Sequence, residues 1–214
     1  MRPFAAYDRI RIINLPDRTD RRAEMAEELS RIGLDGDSRV AFFPGIRAAD
    51  AAPWRRPGER GVFLGHLAIL EEAAEAGESV LILEDDADFT PALATTALPA
   101  SGIFYGGYEA TTSADLHDSD IVGAHCMGFS ADVVRDLAPY LRSLVDHPDP
   151  PPIDGAYVWY RRAHPDVLTS FAVPPIAVQR ASRSDIAQLR WFDRLPLLRQ
   201  AASLARRWRR RRRR

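Results

Sequence analysis

Near its middle the chain reads Val80-Leu81-Ile82-Leu83-Glu84-Asp85-Asp86-Ala87-Asp88-Phe89. Four aliphatic residues in a row, without polar alternation, indicate a buried strand that is covered on both faces. The four carboxylates that follow repel one another and resist leaving water. A hard cation such as Mg²⁺ or Mn²⁺ would neutralise them, because these ions prefer oxygen ligands. The stretch therefore predicts a metal site at the carboxyl end of a strand, where open α/β sheets bind ligands. The alternative is a solvated acidic turn.

The triplet Glu84-Asp85-Asp86 after a Leu-Ile-Leu run resembles the acidic motif of glycosyltransferase family 25, which includes lipopolysaccharide and collagen sugar transferases. The similarity extends from about Arg9 to Asp154. Three further stretches match that family in the same order. The first is Ile12-Ile13-Asn14-Leu15, followed by Arg18 and Asp20-Arg21-Arg22. The second is residues 61–70, which include Gly65-His66-Leu67-Ala68, and the third is residues 123–130, which begin with Gly123-Ala124-His125. Gly65 stands where the family usually has serine.

The alternation of short strands and helices along the chain predicts an α/β domain with a mixed, mostly parallel sheet. The resemblance narrows this prediction to the three-layer α/β/α fold of nucleotide-sugar transferases called GT-A. It also implies an inverting enzyme that moves galactose or glucose from a UDP-sugar to a surface-glycan acceptor such as lipopolysaccharide. We expect this domain to occupy residues 1–180.

The resemblance implies a divalent cation, Mn²⁺ or Mg²⁺, held by the acidic motif. Asp86 is the first choice as its ligand, because it takes the place of the metal-binding acid of DxD motifs. Glu84 or Asp85 would then contact the metal through water or hold the donor ribose. Asp86-Ala87-Asp88 is itself a DxD, so Asp88 is an alternative ligand. His125 is a further metal ligand, an acceptor contact or a structural residue.

The nucleotide is expected beside the first strand, at Asn14 and Leu15. Arg18, Arg21 or Arg22 can pair with its diphosphate, a use that suits the planar guanidinium, although Arg21 and Arg22 can instead solvate a helix face.

The resemblance also groups His66 with the nucleotide-binding residues. The helical spacing of residues 61–76 turns His66 inward, which favours a hydrogen-bonded core histidine instead.

Inversion in a single displacement requires a general base on the acceptor hydroxyl. Asp154 is the candidate, because it follows a proline run and opens a predicted helix, with Asp85 predicted beside it in the catalytic centre. Glu109 and Asp115 are alternatives for the base. An aspartate at a helix start is also a common N-cap, so Asp154 has a purely structural interpretation.

Several local patterns carry further expectations. A strand at residues 103–105 is predicted to end in a tight turn at Gly106-Gly107, and residues 168–173 and 176–178 are predicted to be closing strands. Residues 181–205 are interpreted as a linker with an amphipathic helix, and residues 206–214 as a polyarginine tail.

The composition indicates one globular domain. The chain has 214 residues, of which 46% are hydrophobic and 28% charged. No apolar run approaches the length of a membrane span, and the start of the sequence does not resemble a signal peptide. Cys126 is the single cysteine, so no intrachain disulfide can form, and a reducing cytoplasm is expected.

The charge is distributed unevenly. The net charge is −1, but residues 206–214 hold eight arginines, so the rest of the chain carries −9. A groove-reading nucleic-acid binder would carry basic residues through its folded body, so no specific nucleic acid is expected as a partner. The tail is instead predicted to attach the protein to an anionic membrane surface, peripherally at the inner face.

Two other function classes stay open. Another metal-dependent nucleotide or phosphate enzyme would want a glycine- and lysine-rich phosphate loop near the first strand, and residues 14–17 do not form one. A non-catalytic tethering protein would bind membranes or polyanions through the arginine tail alone.

Overall fold

The computed structural model describes residues 3–112 and 115–180. The strands are β1 (Arg9–Asn14), β2 (Val40–Pro44), β3 (Val80–Glu84), β4 (Ala87–Phe89), β5 (Ile103–Ala110), β6 (Ile121–Phe129), β7 (Thr169–Phe171) and β8 (Ala177–Gln179). The helices are α1 (Thr19–Arg31), α2 (Pro57–Ala76), α3 (Ala131–Leu144) and α4 (Ile153–Ala163), with a single 3₁₀ turn at Pro91–Ala94.

A six-stranded sheet in the order β2-β1-β3-β6-β5-β7 forms the centre of the fold. Strands β1, β2 and β3 are parallel, and β7 is parallel to β5. Strand β6 is antiparallel to both of its neighbours, β3 and β5. Five of the six strands therefore point the same way, which confirms the predicted α/β class with a mixed, mostly parallel sheet.

Both faces of the sheet are covered, as the unbroken aliphatic run in β3 predicted. Val80 and Ile82 face a core built with α2, α3 and α4, whereas Leu81 and Leu83 face a second core that includes Met25 of α1. All four strand residues have 0% exposure. The sheet is thus the middle of three layers, and the carboxyl ends of β1, β2 and β3 lie along one edge.

The last strand does not join this sheet. Strand β8 pairs antiparallel with β4 in a separate two-stranded sheet, in which Ala87 is opposite Gln179 and Phe89 is opposite Ala177. The sequence predicted a closing strand here but gave no partner for it. This pairing brings Gln179 and Arg180 next to the acidic stretch.

The predicted turn at Gly106-Gly107 is wrong, because β5 continues through both glycines to Ala110. The glycines serve close packing instead of a turn. A Cβ at Gly106 would lie 2.7 Å from the Cys126 sulfur, and one at Gly107 would overlap the His125 ring. The register between β5 and β6 is irregular at this point.

Within residues 3–112 and 115–180, no helix has the length and apolar content needed to cross a membrane. The predicted linker, residues 181–205, and the polyarginine tail, residues 206–214, lie outside the described residues.

Candidate functional site

The acidic stretch forms a partly buried cluster at the carboxyl end of β3. Glu84 ends the strand, and Asp85 and Asp86 form the turn into β4. Asp85 and Asp86 are only 5% and 4% exposed. The turn cannot swing into solvent, because Ala87 and Phe89 on either side of Asp88 are buried in the core. The solvated acidic turn is therefore not what the chain forms.

Asp85 joins the cluster to the first strand and helix. One of its oxygens accepts a hydrogen bond from Arg21 Nη1 at 2.8 Å, and the other accepts one from Asn14 Nδ2 at 2.7 Å. Asn14 also donates to the carbonyl of Arg18 at 3.1 Å, which fixes the loop between β1 and α1. These contacts favour a positioning role for Asp85, which holds Asn14 and Arg21, over the predicted direct role in catalysis.

Asp86 is held on one side only. Its Oδ2 accepts a hydrogen bond from Gln179 Nε2 at 3.3 Å and lies 3.3 Å from Arg21 Nη1. Its Oδ1 is buried and has no hydrogen-bond partner among the described residues. Burial and the neighbouring Asp85 raise the pKa of the Asp86 carboxyl, and Arg21 opposes this. Since buried polar atoms are normally paired, this oxygen is an unusual feature of the cluster and could accept a further ligand.

The carboxyl group of Glu84 has a strongly raised pKa. Burial, together with the negative charges of Asp86, Asp85 and Asp154, raises its pKa to about 8. Arg21 lowers that pKa but does not cancel the effect. Two consequences follow. The side chain is mostly protonated at neutral pH, and Asp154 lies within electrostatic reach of the cluster.

We therefore predict that Glu84 contributes less to stability as the pH rises from about 4.5 to about 8. The folded state holds the Glu84 proton over this range and the unfolded state does not, so this contribution to the free energy of unfolding falls as pH rises. Because burial lowers the pKa of His66 and His125, these residues contribute in the opposite direction at the acid end of the range. The quantity that should fall is therefore the melting temperature of wild type relative to that of Glu84→Gln. Identical pH profiles for the two proteins would contradict the assignment.

Asp88, the second acid of the DxD, is already paired with the side chain of Arg180. Its Oδ1 accepts hydrogen bonds from Arg180, at 2.8 Å from Nε and 2.6 Å from Nη2. Arg180 also reaches Glu24 at 2.6 Å and donates its backbone N–H to the carbonyl of Asp86. The arginine neutralises Asp88, so the surroundings favour Asp86 over Asp88 as a metal ligand.

The four predicted metal ligands do not converge on one point. They are Asp86, Glu84, Asp88 and His125. No group of three or more His, Cys, Asp or Glu side chains in residues 3–112 and 115–180 is placed to hold a metal ion. His125 is 4% exposed, and its Nε2 lies 3.3 Å from the carbonyl oxygen of Ala177 in β8. Burial lowers the pKa of its imidazole, which favours the structural interpretation of His125.

The predicted nucleotide-binding residues separate into three environments. Arg22 lines a cavity of 320 Å³ at the ends of β1 and β2, with its guanidinium 4.0 Å above the ring of Phe42. Arg21 faces the acidic cluster, and Arg18 contacts Asp20 with two nitrogens at 2.9 and 3.0 Å. The cavity wall consists of Asn14, Pro16, Arg22, Phe42 and Pro44. Leu15 is half-buried beside it and is not part of the wall.

His66 is a core histidine in this structure. It has 0% exposure, and its Nδ1 lies 2.8 Å from the hydroxyl of Tyr157 in α4. Burial lowers the pKa of the imidazole to about 3, so the ring is neutral. The prediction that His66 contacts the nucleotide does not fit this position, because α2 turns the side chain into the core between the sheet and α4.

Asp154 is the second residue of α4, and it does not cap that helix. The N-cap position is Pro152. The Asp154 carboxylate instead accepts hydrogen bonds from the backbone N–H of Gly123 at 2.9 Å and of Gly155 at 2.8 Å. It clamps α4 to β6 and lines a cavity of 350 Å³.

The two alternative bases lie elsewhere. Glu109 and Asp115 are both exposed, and neither lines that cavity. Asp115 accepts hydrogen bonds from the backbone N–H groups of His117 and Asp118, at 2.9 and 3.3 Å, so its side chain shapes the loop before β6.

Several residues near these sites were not predicted. Gln179 and Arg180 reach the acidic cluster only because β8 pairs with β4, and no local pattern indicates that pairing. Phe42 and Trp159 could be recognised in the sequence only as apolar positions of a strand and a helix. Their exposure at cavity walls depends on packing that the sequence pattern does not specify.

Comparison with protein-family models gave no match, and comparison with curated proteins also gave none. Among solved structures, the fold is similar to the crystal structure of a glycosyltransferase involved in the glycosylation of the major capsid of PBCV-1. The two chains are 13% identical, with a TM-score of 0.49, over 80% of this chain and 93% of the other. Similarity at this level does not carry that enzyme's activity over to this chain.

Proposed function

We propose that the protein is a divalent-cation-dependent glycosyltransferase, similar to family 25, that moves galactose or glucose from a UDP-sugar to a surface-glycan acceptor such as lipopolysaccharide. One observation supports this proposal above the others, namely the buried, unpaired Oδ1 of Asp86 at the carboxyl end of β3. This edge of the sheet is where α/β folds bind phosphorylated ligands.

The residues present fit a cation that is shared with a substrate. Mg²⁺ and similar ions are usually held by one or two carboxylates together with substrate phosphates and waters, so a three-residue protein cluster is not required. Asp86 would hold the ion directly, and Glu84, once deprotonated, would hold it directly or through water. Such an ion supplies charge stabilisation for the departing diphosphate.

The rest of the donor site would come from β1, β2 and α1. The cavity at Phe42 has an aromatic wall suited to a nucleotide base, and Arg22 stands at its rim as a phosphate-binding cation. Arg21 forms ion pairs with both Asp85 and Asp86, and its positive charge limits the repulsion between them. Asn14 connects the two parts of the site, because it lines the cavity at Phe42 and donates a hydrogen bond to Asp85 of the acidic cluster.

Asp154 is our candidate for the base that takes the proton of the acceptor hydroxyl. Its two backbone contacts fix the orientation of the carboxylate and still leave lone pairs, since an ionised carboxyl group has about four acceptor positions. The group faces a cavity and lies within electrostatic reach of Glu84. A hydroxyl group of an acceptor bound there would lie beside the base.

Titration calorimetry with UDP tests the proposal. We expect UDP to bind the wild-type protein in the presence of Mn²⁺ and to bind much more weakly after chelation with EDTA. If UDP does not bind with Mn²⁺ present, the protein is not a UDP-sugar transferase. Incubation with UDP-galactose or UDP-glucose and release of UDP would then identify the donor.

We also propose that the tail at residues 206–214 attaches the enzyme peripherally to an anionic membrane surface on the cytoplasmic side, where lipid-linked acceptors would be available. Each arginine near such a surface contributes about 1 kcal/mol, so eight are ample for reversible attachment. The net charge of −9 on the rest of the chain would be repelled, which would orient the protein with its tail towards the lipid.

We expect deletion of residues 206–214 to release the protein from anionic vesicles and to leave transfer to a soluble acceptor intact. Cosedimentation with phosphatidylserine vesicles at physiological salt measures the attachment, with neutral phosphatidylcholine vesicles as the control. Equal binding of the full-length and shortened proteins would rule out attachment through the tail.

A further inference from the structure

A second cavity lies between the start of β6, the preceding loop and the amino-terminal half of α4. Its volume is 350 Å³, at the small end of the range of about 300–1,000 Å³ that is typical of ligand pockets. The wall is mostly apolar with two carboxylates, and consists of Asp120, Ile121, Val122, Pro152, Asp154, Gly155, Val158 and Trp159. Trp159 and Val122 remain 40% and 52% exposed.

The cavity wall is held in place by contacts outside the pocket. Trp159 makes an edge contact with the ring of His147, with 6.0 Å between the ring centroids. The loop that carries Asp120 is tied to α4 by Arg161, which donates to the carbonyls of His117 and Ser119, and by Arg162, which lies 3.0 Å from Asp120. The exposed ring of Trp159 and the Asp154 carboxylate thus line one cavity, whose wall is held in place by other contacts.

The chemistry of the wall selects the ligand. Asp120 is paired with Arg162, whereas the hydrogen bonds to Asp154 come from uncharged backbone N–H groups, so Asp154 is the group that disfavours phosphate, sulfate or another anion. Both carboxylates can accept hydrogen bonds from hydroxyl groups. An aromatic face carries partial negative charge, so it packs well against the C–H face of a saturated ring. A neutral ring with hydroxyl groups on its edge and C–H groups on its face satisfies both requirements, and this description fits a pyranose.

We propose that this cavity binds one uncharged pyranose ring of the acceptor glycan, which packs on Trp159 and presents a hydroxyl group to Asp154. The inference rests on the proposed function and adds to it the position and the chemical class of the acceptor subsite. It makes Trp159 a specificity-determining residue and Asp120 a hydroxyl-binding residue. Asp154 lines this cavity and its charge also acts on Glu84, so the bound hydroxyl group would be near the acidic cluster.

Saturation-transfer NMR with simple sugars tests this subsite without requiring turnover. The probes are the methyl pyranosides of galactose, glucose, mannose and N-acetylglucosamine, each at millimolar concentration. We expect at least one of them to receive saturation on its ring C–H protons from the wild-type protein. Trp159→Ala should weaken that sugar's binding about 3- to 10-fold, the size expected for loss of an aromatic contact. Trp159→Phe, which keeps an aromatic face, should retain more of the binding.

Val173→Ala is the matched control, because Val173 is 74% exposed and lines neither cavity. The subsite is overturned if none of the four sugars binds, or if Trp159→Ala binds as wild type does. Melting temperatures of the variants show whether each is folded. UDP binding measured on the same samples separates the two proposals. Sugar binding without UDP binding would contradict the proposed transferase activity and support the sugar-binding subsite. UDP binding without sugar binding would support the transferase activity and contradict the subsite.

Discussion

Asp86→Ala is expected to abolish cation-dependent binding of UDP and to lower sugar transfer on the order of 10³-fold. A cation at a diphosphate contributes several kcal/mol of charge stabilisation, and Asp86 has the only carboxylate oxygen of the described cluster that is both buried and unpaired. Calorimetry with UDP and Mn²⁺, followed by initial rates of UDP release, measures both effects. The variant should fold, because the loss of one carboxylate relieves repulsion on Glu84 and Asp85.

The control for this variant is Asp88→Ala, which removes the neighbouring acid of the same DxD. Asp88 is neutralised by Arg180, and Arg180 retains Glu24 as a partner when Asp88 is lost. We therefore expect Asp88→Ala to retain cation-dependent UDP binding. The opposite pattern, with binding lost in Asp88→Ala and kept in Asp86→Ala, would place the metal ligand at Asp88. Wild-type transfer by both variants would exclude the acidic stretch from the mechanism.

The core of this fold could be predicted from the sequence because its signals are local. A run of four aliphatic residues can be buried on both faces only inside a layered sheet, and the structure buries all four completely. The acids that follow were expected at the carboxyl edge for the same reason, and Asp85 and Asp86 are found there.

The parts that escaped prediction depend on contacts between distant segments. Asp88 became a partner of Arg180 only because β8 pairs with β4, some ninety residues away in sequence. Gly106 and Gly107 had the composition of a turn, yet they lie within β5 and give room to Cys126 and His125. Local propensity cannot distinguish a glycine that turns the chain from one that admits a neighbouring side chain.

The position of Asp154 shows the same limit at the candidate site. A proline run followed by an aspartate indicates a helix start, and the helix is present at Ile153–Ala163. The sequence could not show that the carboxylate would accept the backbone N–H of Gly123 in β6, thirty-one residues earlier. That contact gives Asp154 a structural function in addition to the proposed catalytic one. An experiment on Asp154 must therefore separate a change in stability from a change in chemistry.

Asp154→Asn is expected to lower the turnover number about 10²- to 10⁴-fold and to leave the affinity for UDP and Mn²⁺ close to that of wild type. The range is typical of a lost general base, because an amide cannot take a proton from a hydroxyl group at neutral pH. The variant should also lose about 1 kcal/mol of stability, since the amide nitrogen cannot accept one of the two backbone N–H groups. Initial rates, UDP calorimetry and thermal melting on one preparation measure the three quantities.

The matched control for this experiment is Asp8→Asn. Asp8 accepts a backbone hydrogen bond from Ser79 at 2.9 Å and another from the Ser79 hydroxyl at 2.7 Å, next to the amino end of β1 and away from both cavities. Both contacts go to Oδ2 of Asp8, so the amide oxygen of asparagine can keep them as weaker, uncharged hydrogen bonds. The substitution should therefore lower stability by less than Asp154→Asn does, with unchanged turnover. A turnover number for Asp154→Asn within about threefold of the Asp8→Asn value would show that Asp154 holds β6 against α4 and is not the base, because general bases contribute at least 10²-fold.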